Sequence, residues 1–274
     1  MYPTLPHAFK KKFPFRLSVP SFIYPADYIT NVQRLGPFVD EIELLLFESG
    51  MESLPSADEI DALATLAIDT QVSYNVHLPI DLDLGTSHPA SRCEAIERLA
   101  SVLALVHPLR PTTHTLHLAY NAKDRCPQSV AQWQAQTECT LAELLKETTV
   151  PPGRISIETL DYPPAWFAPL VTRFDLAVCL DAGHIVRHGL DLQSTLALFD
   201  QRITIFHLHG VDQGRDHLSL DKLAPEARET LRCFLRKFSG AVSLEVFSLD
   251  YLRDSLACMA EMMSVEGQRS REQS

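Results

Sequence analysis

Several features that mark other classes of protein are missing from this chain of 274 residues. It has neither of the glycine-rich phosphate loops, G-x-G-x-x-G and G-x-x-x-x-G-K-[ST], that usually follow the first strand of a nucleotide-binding open sheet. Its six cysteines form no C-x-x-C pair, which removes a cysteine zinc site and favours reduced core thiols. No apolar run approaches the roughly 18–20 residues of a membrane span. We therefore expect a cytoplasmic protein without a membrane partner.

Positive charge is also scarce. The chain has 24 lysines and arginines against 35 aspartates and glutamates, a net charge of −11 and a pI near 5.4. Proteins that hold nucleic acid through its phosphates need a dense positive surface. We expect a small-molecule substrate and no nucleic-acid partner, while the oligomeric state stays open.

Strand-like and helix-like segments alternate along the whole chain. The strand-like segments are 16–22, 41–47, 73–80, 114–120, 154–160, 176–181, 203–209 and 241–247. The helix-like segments are 26–35, 57–68, 90–106, 128–146, 164–174, 191–199, 225–238 and 250–263. Eight such units predict an α/β fold, a (β/α)₈ TIM barrel, with an open doubly wound sheet as the alternative. We expect one domain over 1–274, with the barrel at about 15–263 and a disordered tail at 264–274.

Titratable residues fall at the C-terminal ends of seven consecutive strands, where barrel enzymes gather their catalytic groups. They are Glu43, His77, His117, Glu158, Asp181 with His184, His207 with His209, and Glu245. Carboxylates and imidazoles that converge on one rim repel each other or stay unsatisfied unless a cation neutralises them. The pattern predicts a divalent metal, with zinc expected and manganese or iron as alternatives.

The densest stretch is ITIFHLHGVDQGRDHLSLD, residues 203–221. His207 and His209 are two apart on a strand and so share a face. Gly210 and Gly214 predict a turn that brings Asp216 and His217 back over the strand end.

The motifs HLP, LHL, IET, LDAGH, HLHG, GRDH and LEV, taken from the third to the eighth strand, resemble the xylose isomerase-like barrels that include sugar epimerases and family 2 apurinic endonucleases. The resemblance to the epimerases implies a single metal held by Glu158, Asp181, His207 and Glu245. The resemblance to the endonucleases implies further zinc ligands at His77, His117, His184 and His217. One departure is that Asp216 and His217 are adjacent here, whereas the endonucleases place Asp and His two apart. Another is His209, which stands where the family has a different residue.

A closer resemblance lies in VDEIELLLFES, YNVHLPIDLDLG, CLDAGH, FHLHGVDQGRDHLSLD and SLEVFS, which are similar to the cobamide-remodelling phosphodiesterases (CbiR) of the same superfamily. It implies a metal-dependent phosphodiesterase that hydrolyses the phosphoester linkage in the nucleotide loop of a cobamide. The residues expected to act in catalysis are Glu158, Glu245, His209 and Arg215. Those expected to bind metal are His77, His117, Glu158, Asp181, His184, His207, Asp216, His217 and Glu245. Glu43, Tyr120 and Arg215 are expected to contact the substrate, Arg215 as a clamp on a phosphate oxygen.

Two other functions stay open. One is an isomerase or epimerase for a keto sugar or its phosphate, with Glu158 and Glu245 as opposed acid and base across a single metal. The other is a barrel that only binds a small molecule. The number of ions separates hydrolysis from proton transfer, because paired ions about 3.5–4 Å apart suit phosphoester cleavage.

Overall fold

Eight parallel strands close into a barrel in a computed structural model that describes residues 2–264. The strands are β1 (Arg16–Pro20), β2 (Glu41–Leu45), β3 (Ser73–His77), β4 (His114–Leu116), β5 (Ile155–Glu158), β6 (Ala177–Asp181), β7 (Ile203–Leu208) and β10 (Ala241–Leu244). Around the barrel their order is β1, β10, β7, β6, β5, β4, β3, β2. This confirms the predicted TIM barrel and excludes the open sheet.

Nine α-helices lie within the described residues. They are α1 (Tyr28–Leu35), α2 (Ala57–Thr70), α3 (Pro89–Val106), α4 (Pro127–Glu147), α5 (Ala168–Phe174), α6 (Ala182–Arg187), α7 (Leu192–Phe199), α8 (Pro225–Leu235) and α9 (Leu249–Ser264). Local sequence sets several of their starts. Ser56 and Glu59 form a capping box at α2, and prolines occupy the first turns of α3, α4 and α8, where the missing N–H is not needed.

One α-helix and one β-hairpin lie outside the eight predicted units. The first is α6, which begins directly after β6 because the carboxylate of Asp181 accepts the backbone N–H of His184 at 2.7 Å. The second is an antiparallel hairpin of β8 (Gly210–Asp212) and β9 (Arg215–Leu218), which forms a sheet of its own. The hairpin agrees with the turn predicted from Gly210 and Gly214, since it folds His217 back over the end of β7.

The residues that point into the barrel are largely polar, although the outer faces of the strands form an apolar core with the helices. At the N-terminal end of the barrel, fully buried Glu41 accepts hydrogen bonds from Arg16 (3.0 Å), Ser73 (2.8 Å), Asn75 (2.8 Å) and Thr112 (3.0 Å). We call these five residues the floor cluster. Its carboxylate is satisfied by groups of the protein itself.

The expectation of core thiols is wrong for four of the six cysteines. Only Cys179 and Cys258 are buried, whereas Cys93, Cys126, Cys139 and Cys233 are exposed on the helices and loops around the barrel. None of the helices within residues 2–264 combines the length and apolar composition needed to cross a lipid bilayer. Of the predicted tail, Ser264 closes α9 and residues 265–274 lie outside the described part of the chain.

Candidate metal centre

Four side chains from neighbouring strands meet at the C-terminal mouth of the barrel. Glu158 ends β5, Asp181 ends β6, His207 lies in β7, and Glu245 follows β10. All four are buried, and each offers one potential ligand atom within 4.8 Å of the others. The Nδ1 atom of His207 lies 3.2 Å from Glu158, 3.4 Å from Glu245 and 4.0 Å from Asp181. The backbone register explains this meeting, because Asp181 pairs with His207 across β6 and β7.

The donor set fits a divalent cation. Three carboxylates taken out of water within one small volume repel each other, and the cost of burying each is several kcal/mol unless positive charge compensates it. The Oε2 atom of Glu245 is buried without a hydrogen-bond partner among the described residues, although it faces the central group. Three carboxylate oxygens and one imidazole nitrogen are ligands that zinc, manganese and iron accept. The chemistry of the buried carboxylate and histidine cluster is therefore consistent with a divalent metal site.

A second group of ligands shares Glu158. The Oε2 atom of Glu158 lies 3.1 Å from Nε2 of His77 and 2.7 Å from Nε2 of His117, while its Oε1 atom faces His207. His77 contacts the carbonyl of Leu78 through Nδ1 at 3.0 Å, an arrangement that places its ring proton on Nδ1 and leaves Nε2 free to bind metal. The two oxygens of one carboxylate thus face two different groups of ligands.

A third group consists of His184, His209 and His217, whose potential ligand atoms also lie within 4.8 Å of one another. His184 comes from α6, and His217 comes from β9 with a left-handed backbone (φ 51°). The structure does not bring Asp216 into any of these groups, because its carboxylate forms an ion pair with Arg187. Of the adjacent pair predicted from the sequence, only His217 reaches the other ligands.

His209 contacts protein groups through both ring nitrogens. Its Nδ1 atom accepts the backbone N–H of His217 at 3.0 Å, and its Nε2 atom lies 3.2 Å from Asp181. Burial lowers the pKa of His209, but the carboxylate of Asp181 outweighs this and raises it to about 9. The same Nδ1 atom also lies 3.3 Å from the carbonyl of Gly210, an acceptor that a protonated Nδ1 would satisfy. These contacts hold the ring of His209 beside Asp181.

Glycine at position 183 makes room for that ring. A Cβ atom on Gly183 would lie 2.0 Å from Cε1 of His209. The D-A-G-H sequence therefore needs glycine for a close approach. Its backbone is not in the left-handed region, so glycine is required here for space and not for its backbone freedom.

The electrostatics of the mouth follow from carboxylates that are paired with histidines. Burial alone would raise the pKa of Glu158, yet His117 and His207 hold it well below its usual value. Burial alone would lower the pKa of His207, yet neighbours that include Cys179 and Glu43 raise it well above its usual value. Protonated histidines and a divalent cation are alternative ways to neutralise these carboxylates, because metal ligands must be deprotonated.

The three residues predicted to contact substrate lie in different surroundings. Tyr120 is half-buried beside the mouth, where its ring packs against Trp133 and Trp166 and its hydroxyl donates to the carbonyl of Asp124 at 2.6 Å. Arg215 is exposed at the start of β9. Glu43 is fully buried beneath His207, with no surface that a substrate could reach.

Sequence reasoning missed two side chains at the site. Cys179 lies in β6 with its sulfur within 4.8 Å of ligand atoms of Glu158 and His207. Its position two residues before Asp181 was a usable signal, because residues two apart on a strand share a face. Arg187, which holds Asp216, gives no such signal in the sequence.

Comparisons with known proteins agree with this architecture. The family model described as "Xylose isomerase-like TIM barrel" matches residues 29–262. A solved D-tagatose 3-epimerase-like protein superposes with a TM-score of 0.74 at 18% identity, over 91% of this chain and 97% of that one. D-psicose 3-epimerase with D-tagatose from Clostridium cellulolyticum H10 gives 0.71 at 12% identity, over 90% and 98%. A xylose isomerase domain protein from Alicyclobacillus acidocaldarius gives 0.65 at 14%, over 91% and 98%. No curated protein matches the chain.

Proposed function

Because this chain belongs to the xylose isomerase-like TIM-barrel family, we propose that it is a metal-dependent hydrolase that cleaves a phosphoester in a small molecule. A single observation carries the proposal. One oxygen of Glu158 faces His77 and His117, and its other oxygen faces His207. A carboxylate with histidines on both oxygens would help to hold two ions.

The extra histidines are hard to explain by a one-metal reaction. Proton transfer on a sugar needs only Glu158, Asp181, His207 and Glu245 as ligands, and each further buried imidazole adds a desolvation cost. Paired divalent ions stabilise both the attacking and the leaving oxygen when a phosphoester is displaced in line. His77, His117, His184 and His217 supply the ligands for such additional ions, and we take zinc as the metal, with manganese or iron as alternatives.

For the substrate we propose a cobamide, cut at the phosphoester of its nucleotide loop. Support comes from the sequence resemblance to the cobamide-remodelling phosphodiesterases and from the aromatic surface beside the mouth. Tyr120 and Trp166 lie on one side, while Phe22 and Phe247 are each 40% exposed on loops that follow β1 and β10. Exposed aromatic side chains suit a large ligand with an apolar face. We assign to Arg215, which is exposed on the β8–β9 hairpin, the binding of a phosphate oxygen.

The second candidate is an isomerase or epimerase of a keto sugar or its phosphate. The comparisons favour this candidate over the hydrolase, because the solved structures named above include sugar epimerases. At 12–18% identity they establish the fold and not the substrate. In this reaction Glu158 would remove a proton from one face of the sugar carbon and Glu245 would deliver its own proton to the opposite face. A metal held by these residues would supply Lewis-acid polarisation of the carbonyl.

Metal analysis with two substrates decides between the candidates. The purified full chain is loaded with zinc, its metal content is measured, and it is then incubated with a cobamide and, separately, with keto sugars and their phosphates. We expect more than one ion per chain, release of the lower ligand from the cobamide and no epimerisation. A single ion, an epimerised ketose and an untouched cobamide would establish the second candidate.

Variants of His77 and His117 sharpen this test. Replacing either with alanine should remove one ion and most of the hydrolysis, while a one-metal epimerase would keep its activity. If no substrate turns over at full metal loading, the chain is a barrel that only binds its ligand.

We also propose that residues 1–274 form a single domain with the barrel at about 15–263.

A further inference from the structure

Glu43 is a carboxylate at the centre of the barrel that belongs to neither the floor cluster nor any of the ligand groups. It lies in β2, is fully buried, and contacts none of the three ligand groups except through His207. Its Oε1 atom is 2.8 Å from Nε2 of His207, and its Oε2 atom accepts a hydrogen bond of 2.5 Å from the hydroxyl of Ser243. A buried carboxylate with so few partners requires an explanation.

The contact with His207 involves two atoms that both lack another partner. Oε1 of Glu43 and Nε2 of His207 are each buried without a hydrogen bond of good geometry among the described residues. One atom is an acceptor and the other can be a donor, and they are close enough to touch. At 2.8 Å the two atoms are already within hydrogen-bond distance of each other.

The opposite side of the same ring faces the metal ligands. Nδ1 of His207 lies 3.2 Å from Glu158 and 3.4 Å from Glu245. For Nδ1 to bind an ion it must be unprotonated, so the ring proton must be on Nε2. That is the nitrogen beside Glu43.

We propose that Glu43 is a positioning residue that accepts the Nε2 proton of His207 and so fixes the ring with Nδ1 turned towards the ion. Ser243 holds Glu43 in place, and the strand register supports this arrangement because Ser243 pairs with His207 across β10 and β7. A carboxylate behind a ligating histidine fixes its tautomer and raises its basicity. The inference rests on the metal centre described under the proposed function and holds for either reaction.

The chain offers a matched control for this role. Glu41 is two residues earlier in β2, is equally buried and also points into the barrel, but it belongs to the floor cluster and contacts Arg16 and Asn75. Cys179 is a second candidate for holding the ring of His207, because its sulfur lies within 4.8 Å of a nitrogen of that ring. Both Glu43→Gln and Glu41→Gln remove a buried carboxylate, but only Glu43→Gln removes the carboxylate that contacts His207. A third variant, Cys179→Ala, tests whether the thiol holds the ring of His207 instead.

The experiment measures the affinity of the full chain for zinc by competition with a chromophoric chelator, with no substrate present. We expect Glu43→Gln to weaken the tightest zinc by about 10- to 100-fold. Glu41→Gln and Cys179→Ala should each change that affinity by less than about 3-fold. Equal losses in Glu43→Gln and Glu41→Gln, or a larger loss in Cys179→Ala, would overturn the proposal.

Nitrogen NMR of the zinc-loaded wild-type chain gives a second readout that does not depend on any variant folding. We expect His207 to show a proton on Nε2 and a metal-shifted Nδ1, and a proton on Nδ1 would refute the proposal. Wild-type chain that binds no zinc would refute the metal centre itself. Zinc binding that is unaffected by Glu43→Gln would refute this inference alone.

Discussion

Both ends of the barrel interior contain buried carboxylates, but these carboxylates have different partners at the two ends. In the floor cluster, the carboxylate of Glu41 is satisfied by an arginine, an amide and two hydroxyls. At the mouth, the carboxylates of Glu158, Asp181 and Glu245 form ion pairs only with histidines, as far as residues 2–264 are concerned. Arginine keeps its charge at all relevant pH values, whereas histidine can release its proton to solvent when a metal binds in its place.

The difference teaches that burial of acidic groups does not by itself indicate function. A carboxylate matched by fixed donors stabilises the fold. A cluster of carboxylates matched by histidines has an exchangeable charge, and this is the property that a metal centre needs.

The largest effect is expected from removing a ligand at the mouth. Glu245→Ala or His207→Ala should lower kcat/KM by at least about 1000-fold, or about 4 kcal/mol, because the bound ion supplies several kcal/mol of transition-state stabilisation. The free energy of unfolding, measured in urea with chelator present, should change by less than about 1 kcal/mol for Glu245→Ala, since this variant removes one of several repelling carboxylates. A large loss of stability without loss of metal would make these residues structural and remove the contrast with the floor.

The reverse outcome is expected at the floor. Glu41→Ala should lower the free energy of unfolding by about 3 kcal/mol, because it leaves Arg16, Asn75 and Thr112 without their acceptor. Activity per folded molecule should be kept. Urea denaturation and a single-point activity assay measure both quantities. If activity falls as it does in Glu245→Ala while stability is unchanged, the two ends do not differ as described.

A smaller effect is expected from crowding the mouth. In Gly183→Ala the added methyl group would lie 2.0 Å from Cε1 of His209, so the ring must move away from Asp181. We expect a loss of about 2 kcal/mol in unfolding free energy and weaker zinc binding. The matched control is Gly153→Ala, where the nearest atom to an added Cβ is 3.8 Å away. Equal effects of both variants would argue against a steric role for Gly183.

The smallest effect is a pH dependence at the floor end of β4. Burial lowers the pKa of His114 from 6.5 to about 4. Because the unfolded chain binds this proton more readily, stability is complete above pH 6.5 and falls as the pH drops towards 4. Between pH 7.5 and 5.5 the loss should be about 1 kcal/mol. Urea denaturation of wild type and His114→Leu at both pH values measures it, and an unchanged slope in the variant would contradict the assignment.

All eight strand and helix units were predictable from apolar periodicity, in the correct order. The strand lengths were not. The segment predicted at 114–120 is a strand only over His114–Leu116, because the residues near the mouth leave the sheet to present His117 and Tyr120. Helix α6 was missed because six residues are too few to show a helical period.

Within the candidate site, the sequence indicated which residues come together but not which of their atoms face each other. Strand spacing brings Glu158 and His207 to one mouth, but the division of the two carboxylate oxygens between two groups is a matter of geometry. Asp216 was expected to bind metal, and its partner Arg187 lies 29 residues earlier in a helix that the pattern did not reveal. Glu43 was expected to face the substrate, and only the closed barrel shows that it lies behind His207.

The β8–β9 hairpin lets the ligands at the mouth of the barrel vary independently of the barrel strands. Within residues 2–264 its strands pair only with each other, yet it carries His217, one of the three histidines of the third ligand group. Replacing this hairpin could add or remove a metal position without changing any barrel strand. Variation in a single surface segment could therefore alter the number of ions, and with it the reaction, within one inherited scaffold.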